Sequence, residues 1–277
     1  DALNPSVIEA DGRLWNYYSG FDGRTWHTGA AASTDGVVWD EPRLVLSPDP
    51  GTWEGDYIAA NGTALLWKGE VWYWYQAGGR RPRIGLARGK PGELLAKHPE
   101  PVLDWGPRGS WDEMGVADPY VIEEGGWLYL YYLGQDRARR QRLGVARSRD
   151  GVEWEKLIDN PVLELGGYGR FDEVGLGEPA VWKQQGAYWM LYTGRDAREW
   201  RRLGLARSED GVRWARVSED PVLAGDQPWN REVVCDPSVL VEGARVRMWY
   251  EVGNRPSPDA NLNSRLGYPE MRRKLEP

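Results

Sequence analysis

The sequence predicts an all-β fold, a five-bladed β-propeller with blades of about four antiparallel strands, on three observations. One block of strand and turn signals recurs five times at a spacing of about 58 residues. Each copy alternates aromatic and β-branched runs with glycine-bearing turns, the composition of short strands. Four strand signals per copy, repeated radially, leave no long unpaired sheet edge.

The first strand of each copy starts at a short acidic or amide anchor followed by proline: Asn4-Pro5-Ser6-Val7, Asp118-Pro119-Tyr120-Val121, Glu178-Pro179-Ala180-Val181 and Asp236-Pro237-Ser238-Val239. Asn61-Gly62-Thr63-Ala64 fills the slot without the proline. Proline is tolerated at the first residue of a strand, which fits this position. A glycine turn then leads to an aromatic second strand, as in Gly126-Trp127-Leu128-Tyr129-Leu130-Tyr131-Tyr132 and Gly186-Ala187-Tyr188-Trp189-Met190-Leu191-Tyr192. The third strand reads Arg142-Leu143-Gly144-Val145-Ala146-Arg147-Ser148 and is echoed from Arg202 to Ser208 and from Arg83 to Arg88. Asp35-Gly36, Asp150-Gly151 and Asp210-Gly211 predict tight primed hairpin turns, because aspartate and glycine tolerate positive φ. A fourth strand ends near Pro-Val-Leu at Pro101, Pro161 and Pro221.

The copies place blades at roughly 1–52, 53–110, 111–170, 171–228 and 229–268, one domain over 1–268 with a tail at 269–277. The fifth copy lacks the Asp-Gly turn and the Pro-Val-Leu strand, so the last blade is expected to be incomplete. The chain opens at Asp1 without an initiator methionine, which reads as a processed or excised piece.

Composition narrows the partners. With 41% hydrophobic and 28% charged residues the chain has the make-up of a soluble globular protein. No run approaches the roughly 18 apolar residues of a membrane span. A net charge of -7 supplies no basic field for a phosphate backbone, so nucleic acid and membrane are not expected as partners. The single cysteine, Cys235, excludes an internal disulfide and leaves the compartment open. Only His27 and His98 are present and no Cys/His cluster has ligand spacing, which argues against a transition metal. No Gly-x-Gly-x-x-Gly or P-loop follows a strand, so no nucleotide cofactor is expected.

In an up-and-down blade the start of strand one shares a face with the loop between strands two and three. Asn4, Asn61, Asp118, Glu178 and Asp236 are therefore expected to ring one funnel, joined by the arginine-rich loops that reach Arg142 and Arg202. An Asp or Asn before proline can serve only to accept backbone hydrogen bonds. Variation among Asn, Asp and Glu in otherwise alike copies points instead to use, since neighbouring carboxyls push one pKa up and leave another ionised for acid and base work. Most of the 17 tryptophans fall in repeat slots and read as core. Trp26 and Trp200 escape the repeat and offer aromatic faces to a sugar. His27 takes the slot held by Arg142 and Arg202. The arginines suit a solvated surface, ion pairs with the anchors, or an anionic ligand. Glu54 and Glu232, in the segments leading into strand one, are weaker ligand candidates.

The Trp-Asp and Asp-Pro strand starts, the Gly-x-Trp/Tyr-x-x-Tyr-Tyr-x-Gly strands and the Ser-x-Asp-Gly-x-x-Trp turns, as from Ser208 to Trp214, resemble those of the five-bladed propeller glycoside hydrolases. That group contains arabinanases, β-xylosidases and invertase-like enzymes, and the resemblance covers essentially all of residues 1–268. It implies a carbohydrate-active protein of the inverting type that acts on or binds an oligosaccharide or glycoside, neutral or anionic. In the arabinanase-like branch an Asp on blade one is the general base, an Asp on blade three tunes the acid, and a Glu on blade four is the general acid. Asp118 and Glu178 match the last two. Asn4 departs from the first and cannot accept a proton, so Asp236, beside blade one in a closed ring, or Asp22 stands as a replacement. A sugar-binding propeller without catalysis is one alternative. Another is the related group of phosphorylases, which split mannosides with inorganic phosphate held by basic residues. Some relatives hold a calcium ion on the axis, but no dedicated loop for one is present here. Inverting enzymes keep acid and base roughly 6.5 to 9.5 Å apart, so the separation of Glu178 from Asp236 is a direct check.

Overall fold

The computed structural model describes residues 2–255, 265–267 and 270–271, and among these every regular element is a strand. Each sequence copy folds as an antiparallel meander. The first comprises β1 (Ala2–Ala10), β2 (Arg13–Phe21), β3 (Trp26–Ser33) and β4 (Arg43–Leu46), and the second β5 (Ala59–Trp67), β6 (Glu70–Ala77), β7 (Arg83–Gly89) and β8 (Ala96–Lys97). The third runs through β9 (Gly115–Glu124), β10 (Trp127–Gln135), β11 (Gln141–Ser148) and β12 (Glu155–Lys156). Then follow β13 (Gly175–Gln184), β14 (Ala187–Arg195), β15 (Arg201–Ser208) and β16 (Ala215–Arg216), and finally β17 (Val233–Glu242) and β18 (Arg245–Gly253). Two short strands, β19 (Arg265–Gly267) and β20 (Glu270–Met271), pair antiparallel with β18. The expectation of an incomplete last blade otherwise falls outside the described residues.

The meanders are linked where the third strand of one meets the first strand of the next. Trp26 bridges Ile58, Gln141 pairs with Gly175 and Arg201 with Val233, all parallel. Pro82 has no N–H to give, and its carbonyl accepts from the Val116 N–H at 3.0 Å instead. The inner strands β1, β5, β9, β13 and β17 each pack on the next, and β17 packs back on β1, where the Val7 N–H donates to Ser238 Oγ at 3.0 Å. The apolar core lies between meanders: Trp72 and Trp74 of β6 pack with Leu128 and Leu130 of β10 in one cluster. Burying such side chains contributes about 1.5–3 kcal/mol each.

The Asp-Gly segments are not two-residue primed turns. Gly36, Gly151 and Gly211 have φ of 76, 78 and 77°, as expected, but the aspartates before them do not have positive φ. Each aspartate instead accepts the N–H groups of the two residues after the glycine, as Asp150 does from Val152 and Glu153 at 2.9 Å. Those bonds hold the three carboxyls below their ordinary pKa. The turn then docks on the neighbouring meander, where the Gly151 carbonyl accepts from Trp74 Nε1 at 2.9 Å and that of Gly36 from Trp249 Nε1 at 2.7 Å. The outer strand is also broken: β8, β12 and β16 are two residues long, and the Pro-Val-Leu segments return only as single bridges at Leu103, Leu163 and Leu223.

Three of the acids leading into the first strands are structural. Asp112, 2% exposed, meets Lys156 Nζ at 2.5 Å and the Tyr132 hydroxyl at 3.4 Å. Asp172 meets Arg216 at 2.8 Å and the Tyr192 hydroxyl at 3.1 Å, and Glu54 repeats the pattern with Lys97 and Tyr75. Glu54 is thereby committed to holding its own meander together.

Candidate functional site

All five anchors share one unusual backbone state. Asn4, Asn61, Asp118, Glu178 and Asp236 have φ of 49, 48, 47, 47 and 51°, in the left-handed region. At each one the pairing between the first and second strand slips, which marks a bulge. A left-handed residue is strained by roughly 1–2 kcal/mol, and asparagine and aspartate relieve this better than glutamate by local hydrogen bonds. The slot therefore suits Asn and Asp on local grounds, and Glu178 stands there against them. Strain held at an observed outlier points to use.

The anchors line the floor of a funnel-shaped cavity of about 310 Å3, within the range of ligand sites. Its wall is made by the ends of the second strands and the starts of the third. One side is apolar and aromatic, from Leu3, Trp26, Tyr57 and Ile58. The rest of the wall is mostly polar, from Gln76, Gln135, Gln141, Thr193, Arg195 and Arg201.

Three carboxyls meet at the floor. Burial first, and then the charge of Glu178, push Asp118 up to about 8, while Arg201, the Asn61 side chain and the Glu178 backbone N–H pull it back. Burial likewise raises Asp236 well above the carboxylate range, followed by Glu178 and by Glu251. Glu251, on β18, is fully buried and hydrogen-bonds Asp236. Asn4 Nδ2 donates to Asp236 Oδ1 in a short contact, and the Asp236 N–H donates to Thr193 Oγ1 at 3.3 Å. Burial works against the charge on Arg201, but Cys235, Glu178, Glu251 and Asp236 around it raise its pKa above the ordinary arginine value. Glu178 Oε2 is buried with no hydrogen-bond partner among the described residues.

Carboxyl oxygens of Glu178 and Asp236 come within 4.8 Å of one another, closer than an inverting acid and base with water between them. The Cys235 sulfur lies within the same distance of both. This trio does not fit calcium, which takes six to eight oxygen ligands, and Arg201 beside it opposes any cation. Asp22 lies on the exposed β2–β3 loop, held at about 2 by the N–H groups of Thr25 and Arg24 and by His27.

Of the residues singled out from sequence, Asn4, Asn61, Trp26, Asp118, Glu178 and Asp236 line the cavity, and His27, Arg142, Trp200 and Arg202 do not. His27 is engaged by Ser47 at 2.9 Å and Asp22 at 3.1 Å. Arg142 is 9% exposed and bonds Asp136 at 3.0 Å and Glu164 at 3.3 Å. Arg202 lies over the Trp200 ring at 4.9 Å, with Arg198 and Arg231 also against that ring. Side chains alternate along a strand, so the cavity receives the residue one earlier, Gln141 or Arg201. Arg195 and Arg201 belong to the arginine-rich loops that the repeat puts on this face, whereas Glu251 and the glutamines carry no motif of their own in the sequence. Comparing copies would have found Glu251, because its register slot opposite Cys235 is held by Ser19, Gln76, Leu133 and Thr193 in the other meanders.

No family model matches the chain. An uncharacterised protein of Mycobacterium tuberculosis is 30% identical over 177 residues, 60% of this chain and 57% of that protein, so the match spans a little over half of the relative's length. A 1,2-β-oligomannan phosphorylase of a Thermoanaerobacter species is 30% identical over 126 residues, 42% of each chain. Among solved structures, a thermostable family-43 glycoside hydrolase superposes with a TM-score of 0.76 at 19% identity, covering 99% of this chain and 90% of that one. A β-1,2-mannobiose phosphorylase from Listeria innocua, in complex with β-1,2-mannobiose, gives 0.74 at 15% identity over 98% and 89%. The chain thus shares the propeller fold of proteins that include glycoside hydrolases and a glycoside phosphorylase.

Proposed function

We propose that the chain is a five-bladed β-propeller that cleaves a glycoside in its funnel, with Glu178 protonating the leaving oxygen and Asp118 keeping that proton available. The observation that carries this reading is Glu178 itself, held in the left-handed state with a buried, unpartnered carboxyl oxygen beside a carboxyl pushed up to about 8. An acid working near neutral pH needs such a raised proton affinity in its surroundings. The raised Asp118 carboxyl keeps a proton next to Glu178 through neutral pH. Trp26 and Tyr57 supply the apolar wall against which a sugar ring can lie.

Nothing at the floor suits a water-activating base. Asn4 takes up no proton, Asp236 is bonded to Asn4 with its charged form disfavoured by burial, and Asp22, off the floor on an exposed loop and held at about 2, is too weak a base. That favours a second reading in which the nucleophile arrives already ionised, as inorganic phosphate. The phosphorylase relative and the phosphorylase structure agree with it. A glycan panel incubated with and without phosphate tests both, with released free sugar or sugar phosphate as the readout. Glu178→Gln is expected to abolish release while sparing binding; product formation that survives the substitution refutes the assignment.

A further inference from the structure

Arg195 and Arg201 are the cationic side chains of the funnel wall, and they sit opposite each other as cross-strand partners on β14 and β15. Like charges placed so are destabilising. The same slot of the preceding meander holds Gln135 opposite Gln141, so the scaffold closes without the charge. Arg195 donates from Nη1 to Glu199 at 3.0 Å, while its Nε is buried without a hydrogen-bond partner among the described residues. The Nε–Nη2 edge faces Gly175, at the start of the strand that carries Glu178. A Cβ at Gly175 would stand 3.1 Å from both nitrogens and 2.9 Å from Gln141 Oε1. The missing methyl leaves a notch bounded by the edge of a guanidinium that can give two parallel hydrogen bonds.

We propose that the sugar taken by this funnel is acidic, its carboxylate held by the Nε–Nη2 edge of Arg195 with Arg201 beside it. The inference rests on the glycoside-binding reading of the funnel. Charge balance favours a sugar carboxylate over phosphate as the oxyanion. Glu199 already pairs with Arg195 at 3.0 Å, so only part of the positive charge there is left over. A single negative charge matches that remainder, whereas a phosphate brings about -1.5 to -2.

Calorimetric titration of the protein with D-galacturonate, D-glucuronate, galactose, glucose and inorganic phosphate tests the proposal. At least one acidic sugar should bind tenfold or more tighter than its neutral counterpart. Arg195→Gln, which copies Gln135, should weaken that binding roughly ten- to a hundredfold, the range for hydrogen bonds to a charged group, and leave neutral sugars unchanged. Gly175→Ala keeps the charge, fills the notch and should weaken acidic sugars alone. Glu178→Gln should retain the preference, so a failure of the catalytic reading shows in cleavage assays and not here. The proposal is overturned if acidic sugars do not bind, if they bind no better than neutral ones, if the preference survives Arg195→Gln, or if phosphate binds at the arginines and acidic sugars do not displace it.

Discussion

Asp118→Asn keeps the shape and hydrogen-bonding edges of the side chain and removes its titration. In the folded protein Asp118 is pushed from 3.8 to about 8, by burial and then by Glu178. At about 1.4 kcal/mol per pKa unit, its charged form is disfavoured by on the order of 5 kcal/mol. Below pH 3.8 the carboxyl is protonated in folded and unfolded chains alike, and its contribution to stability is complete. Between 3.8 and 8 the unfolded chain releases the proton and the folded one keeps it, so that contribution declines as pH rises and is gone above 8. Urea unfolding of both proteins from pH 5 to 9 should show the wild type losing stability relative to Asp118→Asn, with a steepest slope of about 1.4 kcal/mol per pH unit. Removing the Asp118 charge also relieves Glu178 and Asp236 at high pH, which acts in the same direction. A difference that is flat across this range, or a wild type that gains stability relative to Asp118→Asn as pH rises, would mean that Asp118 is an ionised partner of Arg201, and the reasoning from a raised pKa would fail.

If Glu178 is the acid proposed above, kcat/KM on any substrate found in the panel should fall above about pH 8 as Asp118 deprotonates, and a plateau to pH 10 would contradict it. Lys156→Met leaves the buried Asp112 carboxylate with only hydroxyl partners and should lower unfolding free energy by about 3–5 kcal/mol, while Lys156→Arg, which copies the Arg216–Asp172 pair, should recover most of it. Gly151→Ala carries two penalties, a left-handed backbone at φ 78° and a Cβ 2.9 Å from Trp72 and 3.0 Å from Trp74. Gly186→Ala, with the same φ and open space around it, carries only the first. Thermal melts should place Gly151→Ala lower by a further 1–3 kcal/mol or so, the overpacking part, and equal melts would show that the docked turn yields.

The meanders were legible because glycine, proline and aromatic residues keep their places in most copies, and those places fix where a strand can start and turn. The anchors were legible for the same reason, although their left-handed state was not: proline after the anchor announces a strand, and a bulge leaves no composition signal. The wall was misread by one residue. In Arg201-Arg202 two identical side chains stand in sequence, and a one-residue shift moves a side chain to the other face of a sheet. The choice of Arg202, Arg142 and His27 put the charge on the wrong side for that reason. Asp150-Gly151 looked like a hairpin because the dipeptide allows one, while the capping of two N–H groups by the carboxylate, which widens the turn, depends on Ser148 and on the neighbouring tryptophans.

A repeated scaffold separates structural residues from functional ones by its asymmetry. Slots that several copies fill alike, such as the buried acid paired with a cation in the second, third and fourth, hold meanders together. Slots that differ locate the chemistry, and they do not differ evenly around the ring. The first two meanders contribute amides and an aromatic wall, from Asn4, Asn61, Gln76, Trp26 and Tyr57. The ionisable side chains gather on the last three, in Asp118, Glu178, Arg195, Arg201, Asp236 and Glu251. On the glycoside-binding proposal, a sugar leaning on the aromatic wall would turn its far side toward Glu178, the one anchor whose residue type the left-handed backbone disfavours. A glutamate carries one methylene more than the aspartate that the backbone would prefer, and that longer reach suits the acid role proposed for it.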